Sequence, residues 1–285
     1  MIFDKSDLKK LYKPAKDSNG EDNGQITIIG GSDLFHGAPL LCLAVASRIV
    51  DMVFFASPAK SVGSIAENMK SKLLSFIWTP WSELEKYIEK SDAILVGPGM
   101  LRYRSEKASE EEKQNCDEAC QLTKSVTESL LAKFPKKKWV IDAGSLQTMD
   151  VKFIPEDAIL TPNRREFEIL FGQKFSEKIA KEMSNKYKCT IVVKGPVTYV
   201  FKNSEVVQVH GGNSGLTKGG TGDVQAGLTV ALLSKNDPML SACAGSFITK
   251  LAADELQKTK GIYFNADDLA REIPPILFSA KVAVK

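Results

Sequence analysis

The run Gly211-Gly212-Asn213-Ser214-Gly215-Leu216-Thr217-Lys218-Gly219-Gly220-Thr221-Gly222-Asp223 constrains this chain more than any other stretch. Six of the twelve residues ahead of Asp223 are glycine. Backbone there can take positive φ, and a ligand can come close where a Cβ would stand. The apolar segment 224–233 that follows reads as a largely buried helix. Loop and helix together bring free N–H groups and the positive end of a helix dipole to one point, which makes an anion site. Asp223 falls in the first turn of that helix. A carboxylate beside a phosphate cradle is electrostatically awkward, so its expected work is to take the proton of a hydroxyl that is being phosphorylated. The plainer reading is a flexible glycine loop with Asp223 as a helix N-terminal charge.

The 285 residues suit one α/β domain, taken as 1–285, and the net charge of +3 carries no signal for nucleic acid or an anionic membrane. No apolar stretch approaches bilayer length, and the first residues lack the apolar core of a signal peptide. Only His36 and His210 are histidines, which excludes a multi-histidine metal site. The five cysteines lack metal-ligand spacing and read as free thiols in a reducing cytoplasm. Cys116 and Cys120 nevertheless share one face of an expected helix, within reach of each other. Oligomeric state is open, a homo-oligomer included.

Short apolar strands alternate with helical segments, the pattern of a mostly parallel central sheet with helices on both faces. Strands are expected at 26–29, 52–56, 93–96, 139–141, 158–160 and 190–193, then an antiparallel hairpin at 199–202 and 206–210. Helices are expected at 38–50, 106–133, 224–233, 240–257 and 266–273. Unusual loops follow five of the parallel strands: Gly30-Gly31-Ser32, Gly97-Pro98-Gly99, Asp142-Ala143-Gly144, Thr161-Pro162-Asn163 and Lys194-Gly195. Ligands of open α/β sheets bind at the carboxyl edge of the strands, so the five predict one shared cleft.

Asn163 and Glu166 are three apart, the spacing of a helix capping box and equally of an amide–carboxylate pair that meets Mg²⁺ through water. Lys194 is either a contact for a nucleotide phosphate or an exposed turn lysine, and Gly195 lets the backbone run close to a ligand. His36 is either a ligand contact or a solvated loop histidine, and His210 reads as structural.

These motifs, in this order, resemble the ribokinase-like superfamily, and within it the ADP/ATP-dependent NAD(P)H-hydrate dehydratases. The resemblance runs from about residue 25 to the C-terminal helix. It implies a ribokinase-like fold and a nucleotide-dependent lyase of metabolite repair. In such an enzyme the 6-hydroxyl of hydrated NADH or NADPH is phosphorylated and phosphate is eliminated. By position, Asp223 becomes the catalytic base. Lys194-Gly195-Pro196-Val197-Thr198 and the stretch from Asn213 to Gly222 become the holder of ADP or ATP. Ala38, Gly99 and Asn163-Arg164-Arg165-Glu166-Phe167-Glu168-Ile169, with Asp223, become the hydrate pocket. Mg²⁺ is implied near Glu166, through water. The chain departs from the family after Gly-Pro-Gly, where Met100-Leu101 replaces the usual Leu-Gly. A hydroxymethyl kinase of the same fold, or a nucleotide-binding protein without turnover, would use the same loop.

Overall fold

Strand β1 (Gln25–Ile29) lies in the middle of a sheet whose order is β3-β2-β1-β4-β5-β6-β7-β8-β9 in this computed structural model, which describes residues 1–102 and 116–282, with side chains as far as 279. The other strands are β2 (Met52–Ala56), β3 (Ile77–Trp78), β4 (Ala93–Val96), β5 (Lys138–Ile141), β6 (Ile159–Leu160), β7 (Thr190–Val193), β8 (Thr198–Lys202) and β9 (Glu205–Val209). Strands β1 to β7 pair in parallel, and β7, β8 and β9 pair antiparallel. The fold is α/β, mostly parallel, as the sequence pattern predicts.

Both faces of the central strands are apolar because both are covered. In β4, Ala93 and Leu95 point into one core while Ile94 and Val96 point into the other. The first core packs under α1 (Gly37–Ala46), α2 (Lys60–Met69), α8 (Thr221–Leu233), α9 (Pro238–Lys260) and α10 (Ala266–Val282). The second packs under α3 (Leu84–Lys90), α4 (Glu118–Lys133), α5 (Ala143–Thr148), α6 (Arg164–Phe171) and α7 (Glu177–Tyr187). Helix α8 runs on the sheet as an almost wholly buried segment, with Val224, Leu228 and Leu233 fully enclosed.

Four details differ from expectation. Strand β3 is only two residues long, too short to show a period of two in the sequence. Helix α10 continues through Pro274 and Pro275 to Val282, although prolines disfavour helix interiors. The buried Ile273 and Ile276 on either side keep its apolar face on the core. Helix α4 starts at Glu118, where the Asp117 carboxylate caps it by accepting from the Cys120 N–H at 2.9 Å. The part of the expected helix at 106–115 lies outside the described residues. Cys116 and Cys120 form a disulfide, with Cα atoms 5.2 Å apart, which corrects the free-thiol reading for that pair. Cys42, Cys189 and Cys243 are free and buried.

Candidate active site

The carboxyl ends of the parallel strands open onto a cleft of about 670 Å³. Its walls include residues 34–38 at the entry to α1, Gly99-Met100-Leu101-Arg102 after β4, and Ala143, Gly144 and Gln147 from α5. Gly219, Gly220 and Asp223, at the start of α8, complete it. Ala38, Gly99, Gly219, Gly220 and Asp223 thus meet in one cavity, and His36 is on its wall.

The sheet edge brings the loops close enough to stitch together. Gly31 N–H donates to the Pro98 carbonyl at 2.8 Å, and Lys194 N–H to the Pro162 carbonyl at 2.9 Å. Gly99 sits at φ +72°, the left-handed region, with the Phe35 carbonyl where a Cβ would go. Ala143 holds φ +48°, uncommon for a residue with a side chain, directly beside Asp142.

Helix α8 begins at Gly220, with φ +90° and ψ −18°, and no side chain caps it. A Cβ at Gly220 would meet Leu41 and Ala266, so only glycine fits the turn. Gly219 faces open space on its side-chain side. Ahead of it, Asn213 Oδ1 accepts from Gly215 N–H at 2.9 Å and starts the one-turn helix Ser214–Thr217. The Thr221 hydroxyl donates to the Leu216 and Lys218 carbonyls at 2.7 and 2.9 Å, closing the loop on itself. Lys218 is turned away from the cleft: its ammonium contacts the Ile262 carbonyl and lies over the Phe264 ring.

Asp223 stands in a charged group drawn from three crossovers. Lys194 Nζ donates to Asp142 Oδ1 at 2.9 Å, and the Thr161 hydroxyl donates to the same oxygen at 2.7 Å. Asp142 is 2% exposed. A Cβ at Gly222 would be 3.5 Å from Lys194 Nζ, so the ammonium lies against the first turn of α8. Burial pushes the Asp223 carboxyl up to about 7, Asp142 and Glu166 push the same way, and Lys194 only partly offsets them. Burial also raises Glu166, helped by Asp142 and opposed by Lys194. Burial alone would lower Lys194; Asp142, Glu166 and Asp223 together hold it above its ordinary value. From below, the Cys42 thiol donates to the Asp223 backbone carbonyl at 3.1 Å.

The Asn163–Glu166 pair is a complete capping box. Glu166 N–H donates to Asn163 Oδ1 at 2.9 Å, and Asn163 N–H donates to Glu166 Oε2 at 2.8 Å. Gln147, on the cleft wall, donates to the other carboxylate oxygen at 3.1 Å and connects Glu166 to the cavity. Among the described residues no three histidine, cysteine or acidic side chains form a metal cage. Three carboxylates nevertheless act on one ammonium, and that surplus of negative charge suits a cation that arrives with phosphates and keeps its own waters.

The rest of the 163–169 stretch spreads out. Phe167 is fully buried beside Phe171 and Phe175, a core residue with no surface to offer a ligand. Arg164 stacks over the Phe175 ring at 5.4 Å; Arg165, Glu168 and Ile169 are exposed and off the cleft wall. In 194–198, Thr198 is buried and Pro196 exposed. The sequence places Asp142 in one of the five rim loops without a role of its own, and it marks neither Gln147 nor Lys250 as a site residue. For Lys250 the available signal is a charged residue among the buried Ile248, Thr249, Ala252 and Ala253.

The sequence model described as NAD(P)H-hydrate dehydratase matches residues 26–275. The bifunctional NAD(P)H-hydrate repair enzyme Nnr of Methanocaldococcus jannaschii is 35% identical over 95% of this chain and 51% of that protein. The chain therefore spans about half the length of that relative. The ADP-dependent (S)-NAD(P)H-hydrate dehydratase of Nitrosopumilus maritimus is 27% identical over 95% of this chain and 94% of that protein. Among solved structures, a ribokinase-like superfamily protein of Enterococcus faecalis superposes with a TM-score of 0.80 at 20% identity, covering 98% of this chain and 95% of that one. The ADP/ATP-dependent NAD(P)H-hydrate dehydratase of Bacillus subtilis, co-crystallised with ATP and Mg²⁺, gives 0.78 at 20% identity over 98% of both chains. These structures establish the ribokinase-like fold, and the sequence match over nearly the whole chain establishes the rest: it belongs to the NAD(P)H-hydrate dehydratase family.

Proposed function

We propose that this chain dehydrates hydrated NADH or NADPH, with ADP or ATP as phosphoryl donor. The observation that carries the reading is a carboxylate near neutral pKa at the uncapped, glycine-built start of a buried helix, on the wall of the cleft. The base has to hold its charge at working pH and still accept a proton readily, and a pKa close to 7 meets both needs.

Nucleotide phosphates lie against the glycine-built start of α8 at Gly219, Gly220 and Gly222, while the Thr221 N–H is used on the Lys218 carbonyl; the 194–198 and 213–218 stretches hold the rest of the nucleotide. The hydrated ring enters between Ala38, Gly99 and Asp223. Asp223 accepts the proton of the 6-hydroxyl as its oxygen bonds the terminal phosphorus, while the phosphoanhydride bond breaks and the shortened nucleotide leaves. The C6–O bond then breaks with its electron pair going to phosphate, and loss of a proton from C5 restores the ring double bond. Phosphorylation matters because hydroxide is a poor leaving group. Lys194, steadied by Asp142, supplies positive charge beside the loop. Bound with the phosphates, Mg²⁺ would neutralise their charge, with Glu166 meeting one of its waters. The proposed setting is the cytoplasm, where the dinucleotide pool turns over.

The test is absorbance at 340 nm on NADH hydrate with purified protein and Mg²⁺, with ADP and ATP in separate cuvettes. A nucleotide-dependent rise is expected. A flat trace, with a stable phosphorylated product by mass spectrometry, would point instead to a kinase.

A further inference from the structure

Lys250 is 5% exposed in the middle of α9, and its ammonium does not reach the cleft. Its Nζ donates to three backbone carbonyls: Gly195 at 3.1 Å, Pro196 at 2.6 Å and Gly211 at 3.1 Å. The first two belong to the turn after β7 and the third to the start of the glycine run, 16 residues further along the chain. An ammonium has three N–H donors, and all three are used on these two loops. The next turn of the helix completes the grip. Asp254 accepts from Gly212 N–H at 2.9 Å, and the Ala253 carbonyl accepts from the Asn213 side-chain amide at 2.8 Å.

Burying a lysine is costly, and burial here pushes the Lys250 ammonium below its ordinary value, with Asp254 only partly opposing. A hydrophobic residue would be the cheaper occupant of a helix face this deep. The carbonyls explain the lysine: they converge on one point, and its three N–H donors satisfy all three.

We infer that Lys250 is a positioning residue for the nucleotide, an internal cation that fixes the 195–196 turn against the 211–213 turn. It sets the spacing between the two stretches proposed to hold the nucleotide. The inference rests on that reading of the two loops, and it concerns binding of the nucleotide rather than proton transfer at Asp223.

The experiment is calorimetric titration of ADP and ATP into wild type, Lys250→Met and Lys250→Ala, with steady-state kinetics on NADH hydrate. Losing charge-assisted hydrogen bonds at the loops should weaken nucleotide affinity by roughly 10- to 100-fold. The same variants should raise KM for nucleotide, leaving kcat at saturating nucleotide within about threefold and KM for the hydrate unchanged. Lys250→Ala lacks the three carbons and the ammonium of n-propylammonium, so millimolar n-propylammonium should restore nucleotide affinity, whereas n-propanol should not. Should Lys250→Met fail to fold, Lys250→Gln, which keeps two N–H donors without the charge, carries the same comparison.

Variants that bind nucleotide as tightly as wild type would overturn the inference and leave the proposed function standing. So would a fall in kcat and thermal stability with no change in nucleotide KM, since that marks a purely structural lysine. A folded wild type that binds neither nucleotide would overturn the functional reading, and the inference with it.

Discussion

Two helices start on the same rim of the sheet, and they start in opposite ways. Helix α6 is closed by its own side chains, Asn163 and Glu166 each accepting from the other's backbone N–H. Helix α8 starts at a left-handed glycine with no side-chain cap, and its neighbour Gly219 faces open space. A helix that satisfies its first N–H groups internally has little left for a ligand, whereas one that leaves them bare is built for an anion. Both carry an acidic residue in the first turn, Glu166 in α6 and Asp223 in α8. In α6 the carboxylate is part of the cap; in α8 no side chain caps the helix, and Asp223 lies on the wall of the cleft.

The largest effect is expected at Asp223. Asp223→Asn should lower turnover roughly 10²- to 10⁴-fold, with nucleotide affinity changed no more than about threefold. Single-turnover kinetics beside calorimetry would check it, and near-normal turnover would remove Asp223 as the base.

Next comes a paired test of the two helix starts. Gly219→Val fills space that is empty in the protein itself, so it should keep the melting temperature and weaken nucleotide binding about tenfold or more. Asn163→Ala should do the reverse, losing about 1 kcal/mol of stability with a smaller change in nucleotide affinity. A larger loss of affinity in Asn163→Ala than in Gly219→Val would mean that α6, not α8, faces the phosphates.

A third test uses pH. With the Asp223 carboxyl pushed up to about 7, kcat/KM should rise about tenfold per pH unit below 7 and level off above it. An acidic limb with its midpoint near 4 would show a solvated carboxylate.

The smallest effect concerns stability. Because the native carboxyl is raised above its unfolded value near 3.8, the native state holds the extra proton between about pH 4 and 7, and Asp223 destabilises the fold increasingly as pH rises through that window. Asp223→Asn should therefore melt roughly 2–4 °C higher than wild type at pH 8, with the gain fading towards pH 4.

The strands β1, β2, β4, β5, β7 and the hairpin were legible because apolar runs bounded by glycine, proline or aspartate mark buried strands directly. Asp223 and its loop were legible for a related reason: consecutive glycines leave a local signature that no folding is needed to read. Asp142 shows in the sequence only as part of a strand-end loop, and Lys250 only as a lysine in an apolar stretch. Asp142 matters only because a parallel sheet sets the end of β5 two strands from the end of β7, where Lys194 waits. Lys250 matters only because two turns fold back over α9. The 163–169 stretch misleads in the other direction. Adjacent residues of a helix point to different sides, so Glu166 turns to Gln147 at the cleft while Phe167 drops into the core.

The strand order has a kinetic consequence. Strand β1 pairs with β2 on one side and waits for β4, whose residues lie 67 positions later in register, on the other. Asp142, Glu166, Lys194 and Asp223 arrive on later crossovers, so their mutual contacts need β5, β6, β7 and the start of α8 in place together. Contacts that distant in sequence form slowly. A chain stalled midway would carry its glycine loop without the ammonium and carboxylates that surround it. Nucleotide should therefore recognise the finished fold and not its precursors, and by mass action it would shield completed molecules from unfolding without hastening their formation.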